Sequence, residues 1–394
     1  MRTRSVFLLG LICLFSFIAS DANAMQSMSG NWKNGLSFTS DDGETKIGFG
    51  GRLQIDYGFF SEEDGVDLEQ DGVEMRRARF AVSGVIGGNV EFKTQYDFAG
   101  GDADFKDAWV GLKDAGFLGK LRIGQQFEPM GLETLTSSKY ITFAERSFTS
   151  SLTPGRNTGI LSSHSLADDL GTFAFGYFID VNSYGNGQED HQGSLTARAT
   201  YLPIYEDGGN QLFHLGASIS SRDTSGGVVE YHADSLSHLG ADIVDTGDIA
   251  SDGADVFGAE LAYVQGPMSV QAEFVSSTLD DDSEVTAWYL QGSYFITGES
   301  RAYKKSAGAF SRVKPASNYG DDGNGAIELA IRMQEIELDE MTAGENAEAL
   351  SMGVNWHLNP NARVMFNIIN ASPDAASVYG NDVTSYVMRF AVNF

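Results

Sequence analysis

The sequence predicts an all-β protein, a transmembrane antiparallel β-barrel of sixteen strands with loops folded into its interior. Three observations carry that expectation. Apolar and polar residues alternate with period two over segments of about ten residues, through to the end of the chain. The segments come in an even number, and the connections between them alternate between short and long. Beyond residue 24 there is no apolar stretch of the roughly 20 residues that a membrane-spanning helix needs, so a chain in a membrane would have to close its strands into a barrel.

The N-terminus comes first. Arg2 and Arg4 precede an uncharged apolar run from Val6 to Ala19, and Ala22-Asn23-Ala24 follows. That is the layout of an export signal cleaved after Ala24. Residues 1–24 are therefore expected to be a signal peptide, residues 25–45 a short periplasmic segment, and residues 46–394 the barrel. Cys13 lies inside the apolar run behind Ile12, where a lipoprotein signal would need a small residue. It is the only cysteine, so the exported part is held by something other than disulfides.

The alternation is plain in 46–59, where Ile47, Phe49, Leu53, Ile55, Tyr57 and Phe59 oppose Lys46, Arg52, Gln54 and Asp56. It recurs in 89–99 and in the last segment, where Tyr386, Met388, Phe390, Val392 and Phe394 form one face. Strands are expected at 46–60, 72–86, 89–99, 103–113, 119–127, 158–166, 170–181, 192–203, 210–222, 254–265, 268–279, 284–297, 323–338, 347–358, 361–372 and 383–394. A soluble sandwich also alternates, but its strands are usually shorter. The connections favour the barrel. One set is short, as at Gly87-Gly88, Gly266-Pro267 and Leu358-Asn359-Pro360, and the other is mostly longer and acidic. Short periplasmic turns and longer outer loops are the asymmetry of an outer-membrane barrel. Three connections stand apart by length: 128–157 and 223–253 on the outer side, and 298–322 on the periplasmic side. A barrel of this size encloses an aqueous channel, which inward-folded loops would narrow.

Composition excludes some functions. The formal charge is −28, which argues against a nucleic-acid partner. No nucleophile-elbow, zincin or phosphate-loop motif occurs, and the six histidines show no metal-ligand spacing. No enzyme, metal or cofactor is expected. The charges are also segregated. With apolar faces assigned to lipid, Arg52, Arg77, Arg79, Lys93, Arg122, Arg198, Arg222, Arg332, Arg363 and Arg389 face the lumen, against Asp56, Glu91, Asp97, Glu273 and Glu328. Most acids fall in loops, where they could hold divalent cations that bridge lipopolysaccharide or could simply keep the surface soluble. Guanidinium groups in a narrow pore replace part of an anion's hydration and repel cations. The expectation is a water-filled channel of a Gram-negative outer membrane for passive diffusion of small inorganic or organic anions. A general or weakly cation-selective channel, or a non-conducting structural barrel, are the alternatives.

Several stretches carry a family resemblance: Gly51-Arg52-Leu53-Gln54, Arg76-Arg77-Ala78-Arg79-Phe80, and the run from Leu135 through Lys139, Tyr140, Glu145 and Arg146 to Ser147. Further matches are His238 with Asp245-Thr246-Gly247, Ser293-Tyr294-Phe295-Ile296-Thr297-Gly298-Glu299, Arg301-Ala302-Tyr303-Lys304, the block Gly308 to Pro315, and Leu358-Asn359-Pro360-Asn361. In order and spacing the chain resembles the phosphate-selective porins O and P from about residue 46 to Phe394. The resemblance implies a homotrimer of sixteen-stranded barrels in which two outer loops and one periplasmic turn enter the lumen. It also implies that Arg77 and Arg79 meet Lys139 and Arg146 at a constriction, and that Arg301, Lys304 and Lys305 charge the periplasmic side. With Arg52, Arg222, Arg332 and Arg389 these are the candidate anion-contacting residues. Phe394 is the candidate signal for the barrel-assembly machinery. One departure stands out. Glu230, His232 and Asp234 stand where the family pattern has arginines, so weak affinity for phosphate is expected.

Overall fold

A computed structural model describes residues 27–32, 35–62, 71–187, 193–320, 322–338, 346–374 and 382–394. The expected signal peptide and parts of the acidic outer loops (63–70, 188–192, 339–345) lie outside the described residues. Sixteen long strands follow in order: β1 (Lys46–Glu62), β2 (Gly72–Ile86), β3 (Val90–Asp97), β4 (Asp104–Leu112), β5 (Lys120–Phe127), β6 (Arg156–Leu166), β7 (Gly171–Ile179) and β8 (Gly193–Glu206). The second half comprises β9 (Gln211–Asp223), β10 (Gly253–Gln265), β11 (Met268–Leu279), β12 (Glu284–Phe295), β13 (Ala326–Glu337), β14 (Ala347–Asn359), β15 (Ala362–Pro373) and β16 (Val383–Asn393). Each pairs antiparallel with the next, and β16 pairs with β1 from Arg52↔Asn393 to Glu62↔Val383, which closes the barrel. Every strand end lies within three residues of its expected place.

One element goes beyond the expected short N-terminal segment. Met28–Trp32 and Leu36–Ser40 form a hairpin whose second strand pairs with the lower end of β1, from Leu36↔Phe49 to Thr39↔Lys46. Five-residue strands reading MSGNW and LSFTS are too short for alternation to reveal them. Just above, the chain end joins β1: the Gly51 amide donates to the Phe394 carbonyl at 2.8 Å, and the Phe394 amide to the Gly51 carbonyl at 3.2 Å. A Cβ on Gly51 would lie 2.4 Å from the Arg79 carbonyl and 2.6 Å from the Phe394 ring. Removing Phe394, or making Gly51→Val, is therefore expected to lower the amount of folded barrel in the outer membrane severalfold. Molecules lacking Phe394 that do insert should keep the parent's conductance. Normal abundance of both variants by heat-shifted gel mobility would refute this.

Burial separates the barrel into two halves. Along β14 and β16 buried and exposed residues alternate almost strictly, whereas along β2 most inward positions are only half-buried. The outward residues, among them Phe257, Leu261, Phe274, Leu290, Ile331, Met352, Phe366 and Phe390, are exposed to what a barrel of this kind meets there, lipid. The inward residues of β10–β16 are covered by the long connections. Met130, Phe148 and Leu152 of the loop 128–155 pack with Tyr231, Leu236, Ile243 and Val244 of the loop 224–252 against Val275, Val285, Ile336, Met365 and Ile369 of the wall. From the periplasmic side, Tyr303 and Phe310 of the connection 296–325 pack on Leu132, Leu202, Leu212 and Val264. Fully burying an aliphatic or aromatic side chain contributes ~1.5–3 kcal/mol. The lumen therefore contains a hydrophobic core, set to one side.

A bulge adjusts the other side. In the β1–β2 register Gln54 pairs with Arg77 and Ile55 with Met75, so Arg76 is the extra residue. The bulge turns Arg76 and Arg77 towards one partner, Glu145 of the loop 128–155, at 2.8 and 3.3 Å.

Candidate functional site

With the loop 128–155 pressed against β10–β16, an open chamber of about 780 Å³ remains between it and the wall of β1–β8. Arg52, Arg77 and Arg79 line it from β1 and β2. Lys93, Asp107, Trp109, Lys120 and Arg122 come from β3–β5, and Arg156, Leu161 and Arg198 from β6 and β8. The loop contributes Leu135, Ser137, Ser138 and Arg146, and the periplasmic connection Lys304. Including Lys113, eleven lysines and arginines line the chamber against two carboxylates, Asp107 and Asp114.

The carboxylates behind this surface position the bases and cancel part of their charge. Asp107 takes both Lys93 and Arg156, the latter at 2.9 Å, and Glu91 takes Lys120 at 2.9 Å and Arg122 at 3.3 Å. Each cluster keeps one positive charge in excess. Arg79 pairs with Asp97 at 2.6 Å, and Arg198 forks onto Glu260 at 2.8 and 2.6 Å. The Arg52 guanidinium donates to the Ser138 hydroxyl at 2.5 Å. Among the described residues, no carboxylate lies within ion-pair distance of Arg52, Lys113 or Lys304. Trp109 and Phe127 stack under Arg122 and Arg156, 4.2 and 3.8 Å from ring centre to guanidinium carbon, and hold both planes in place.

Of the candidate residues, the structure brings Arg52, Arg77, Arg79, Arg146 and Lys304 to the chamber. The others lie outside it. Arg332 and Arg389 are 1 % and 0 % exposed. They point inward as expected, but the inward loop covers them, and they hold it: Arg332 pairs with Glu133 at 3.2 Å, while Arg389 forks onto Asp56 and reaches Glu145 at 2.6 Å. Arg222 clasps Glu128, where that loop begins, and Asp180 at the outer rim, at 2.9 and 2.7 Å. Lys139 lies on the loop's far face beside the Tyr140 ring. Arg301 is buried beneath the loop, bonded to Gln271 at 2.9 Å, and Lys305 reaches the Asp168 carbonyl on the periplasmic rim at 2.9 Å. Even Arg146 serves the loop, donating to the carbonyls of Glu133, Thr134 and Thr136.

The candidate list omitted Lys113, Lys120 and Arg156. Lys113 and Lys120 sit at the ends of β4 and β5, and Arg156 precedes the stretch where alternation becomes legible. Alternation marks Lys93, Arg122 and Arg198 as inward-facing but does not bring them into one site.

Charge on the loops follows from burial. Burial pulls Arg146 down to about 10, leaving it charged at neutral pH. Against the cost of burial, Arg77, Arg76 and Arg389 hold the Glu145 carboxyl well below the usual range. The loop 224–252 does fold inward, with the Tyr231 hydroxyl on Ser277 at 2.7 Å and His238 on Glu74 at 2.7 Å, yet none of its residues lines the chamber. Burial, and then the Glu145 carboxylate, push Asp234 up to about 7. An acid whose folded pKa is raised keeps full stability below its unfolded value and loses it as pH rises towards the folded value. Asp234→Asn is thus expected to raise the thermal midpoint at pH 8 and leave it unchanged near pH 4. Equal midpoints for parent and variant at pH 8 would contradict this.

A closed sixteen-stranded antiparallel barrel with a lipid-facing apolar surface and a charged lumen narrowed from within is an outer-membrane porin. Residues 47–394 match the family Phosphate-selective porin O and P, and the chain belongs to that family. Porin O of Pseudomonas aeruginosa is 25% identical, with 87% of this chain and 86% of that protein covered. The fold is similar to that of an anion-selective porin from Comamonas acidovorans, at a TM-score of 0.55 and 13% identity, covering 89% of this chain and 100% of that one. The trimer form of OmpT, an outer-membrane protein of Vibrio cholerae, aligns at a TM-score of 0.53 and 13% identity, covering 88% and 99%.

Proposed function

We propose that this porin passes small anions, oxyanions such as phosphate among them, by passive diffusion. The carrying observation is the chamber, where eleven basic groups face the solute against two carboxylates. Family membership supports the same reading. Arginine suits oxyanions because its planar fork donates paired hydrogen bonds and keeps its charge. The assembly we propose is a homotrimer, as the likeness to trimeric OmpT supports, exported by a signal cleaved after Ala24. Lipopolysaccharide would surround it, and the barrel-assembly machinery would read Phe394.

Affinity for phosphate is proposed to be weak. The loop 224–252, with Glu230, His232 and Asp234, lines none of the chamber and adds no guanidinium donor to it, and each charge-assisted hydrogen bond forgone is worth ~1.5–3 kcal/mol, roughly a tenfold or greater change in affinity. In a planar bilayer under a potassium chloride gradient, the reversal potential should lie on the chloride side. Phosphate should then block chloride current only at about millimolar concentration. A cation-side potential would return the general-porin reading, and micromolar block would overturn the weak-affinity reading.

A further inference from the structure

Beneath the inward loop, on the face turned away from the chamber, lies a second pocket that shares no lining residue with it. Lys139 and Tyr140 bound it from the loop, Arg301 and Arg312 from the periplasmic connection, and Glu328 and Arg363 from β13 and β15. Four basic side chains thus meet one carboxylate.

The donors there are incompletely used. Arg363 is 4% exposed; its Nη1 donates to the Ile141 carbonyl at 2.8 Å and its Nη2 to the Ser138 carbonyl at 3.4 Å, while its Nε is buried without a partner. The Nε and Nη2 of Arg312 both point at the Tyr140 hydroxyl, at 3.4 Å each, and its Nη1 is buried without a partner. Among the described residues, the other arginines with an unpartnered buried nitrogen have it at Nε, so Arg312 alone has a buried terminal nitrogen without a partner. Glu328 answers part of this charge. Its Oε2 accepts from Asn355 at 2.9 Å and lies 3.7 Å from His357 Nε2, while its Oε1 has no partner. With Glu328 set against Arg363, the side chains of Arg301, Arg312 and Lys139 are left to face an anion. Burial, and then Arg52, Arg312 and Lys93, pull Lys139 down to about 7.

We propose that this pocket is a second anion site, separate from the conduction path, that binds a small inorganic anion between Arg312 and Arg363 beside Lys139. The size of the ligand follows from the space. The pocket offers about 20 Å³, where one water needs ~10–15 Å³, so a chloride-sized ion fits. The ion would join three pieces of chain: the inward loop, the periplasmic connection and β15.

Bromide is the probe. Crystals of the full-length porin grown in sodium bromide, measured above the bromine edge, should show an anomalous peak between Arg312 and Arg363. Arg312→Gln should abolish that peak and leave any in the chamber. Arg312 lies in a connection and not in a strand, and the parent crystal alone already decides the main point. Absence of the peak in the parent, or its persistence in Arg312→Gln, overturns the proposal. In solution, bromide should raise the parent's thermal midpoint with a half-saturating concentration at least about tenfold lower than in Arg312→Gln; equal concentrations would also overturn it. A cation-side reversal potential for the parent would defeat the anion-channel reading and leave this test untouched.

Discussion

Arg389→Met is expected to widen the pore and raise its single-channel conductance severalfold. The Arg389 guanidinium is fully buried, donates from Nε and Nη2 to the two Asp56 oxygens at 2.6 and 2.5 Å and from Nη2 to Glu145 at 2.6 Å, and also meets the Ala144 carbonyl. Methionine fills similar space but leaves Asp56 buried without its cation and takes from Glu145 one of its three partners, Arg76 and Arg77 remaining. Removing one partner of a buried ion pair costs ~3–5 kcal/mol. The main-chain ladder does not depend on Arg389, although its pair with Asp56 spans the β1–β16 seam, so the loss falls on that seam and on the loop 128–155, whose Ala144 and Glu145 it holds. Once released, that segment no longer narrows the lumen. Conductance equal to the parent's, with normal heat-shifted gel mobility, would show that the apolar packing of Phe148 and Leu152 suffices to keep the loop in place.

The second large effect concerns charge sign. Arg77→Glu with Arg79→Glu should lower the ratio of anion to cation permeability roughly tenfold. Two unit charges 4 Å apart interact by ~1 kcal/mol in bulk water and more in a confined throat, and 1.4 kcal/mol is a factor of ten. Arg77 also touches Glu145, so part of the effect could come through the loop. The neutral pair Arg77→Gln with Arg79→Gln separates the two and should give about half the shift. An unchanged reversal potential in both variants would remove these residues from the ion path.

Strand boundaries were legible because the side-chain period of a strand is two and one face meets lipid. Nothing else in the chain competes with that rhythm. Inward-facing side chains were legible for the same reason. What alternation cannot tell is whether an inward residue meets water or a loop. Arg79 and Arg389 obey one parity rule, yet the first faces the chamber and the second is sealed behind Ala144 and Glu145. That distinction depends on which half of the lumen the loop 128–155 fills. The decisive contacts, such as Phe148 on the β10–β15 side and Arg332 on Glu133, join residues nearly 200 positions apart. The length of the three long connections announced that they were special. Their apolar residues are too irregularly spaced to reveal a core. Asp234 shows the same limit, because only the fold places it next to Glu145.

The N-terminal hairpin has a consequence for the bore of the channel. A barrel's radius depends on how many strands it has and on the total stagger accumulated around the ring. A closing strand that slipped two residues along its neighbour would preserve every face and still change that total. Here the lower edge of β1, Lys46 to Phe49, is already occupied by Leu36 to Thr39. The end of the chain can therefore dock only from Gly51 upward. The hairpin acts as an end stop at the seam, and the circumference of the pore is in that sense gauged by a segment that lies outside the membrane-spanning wall.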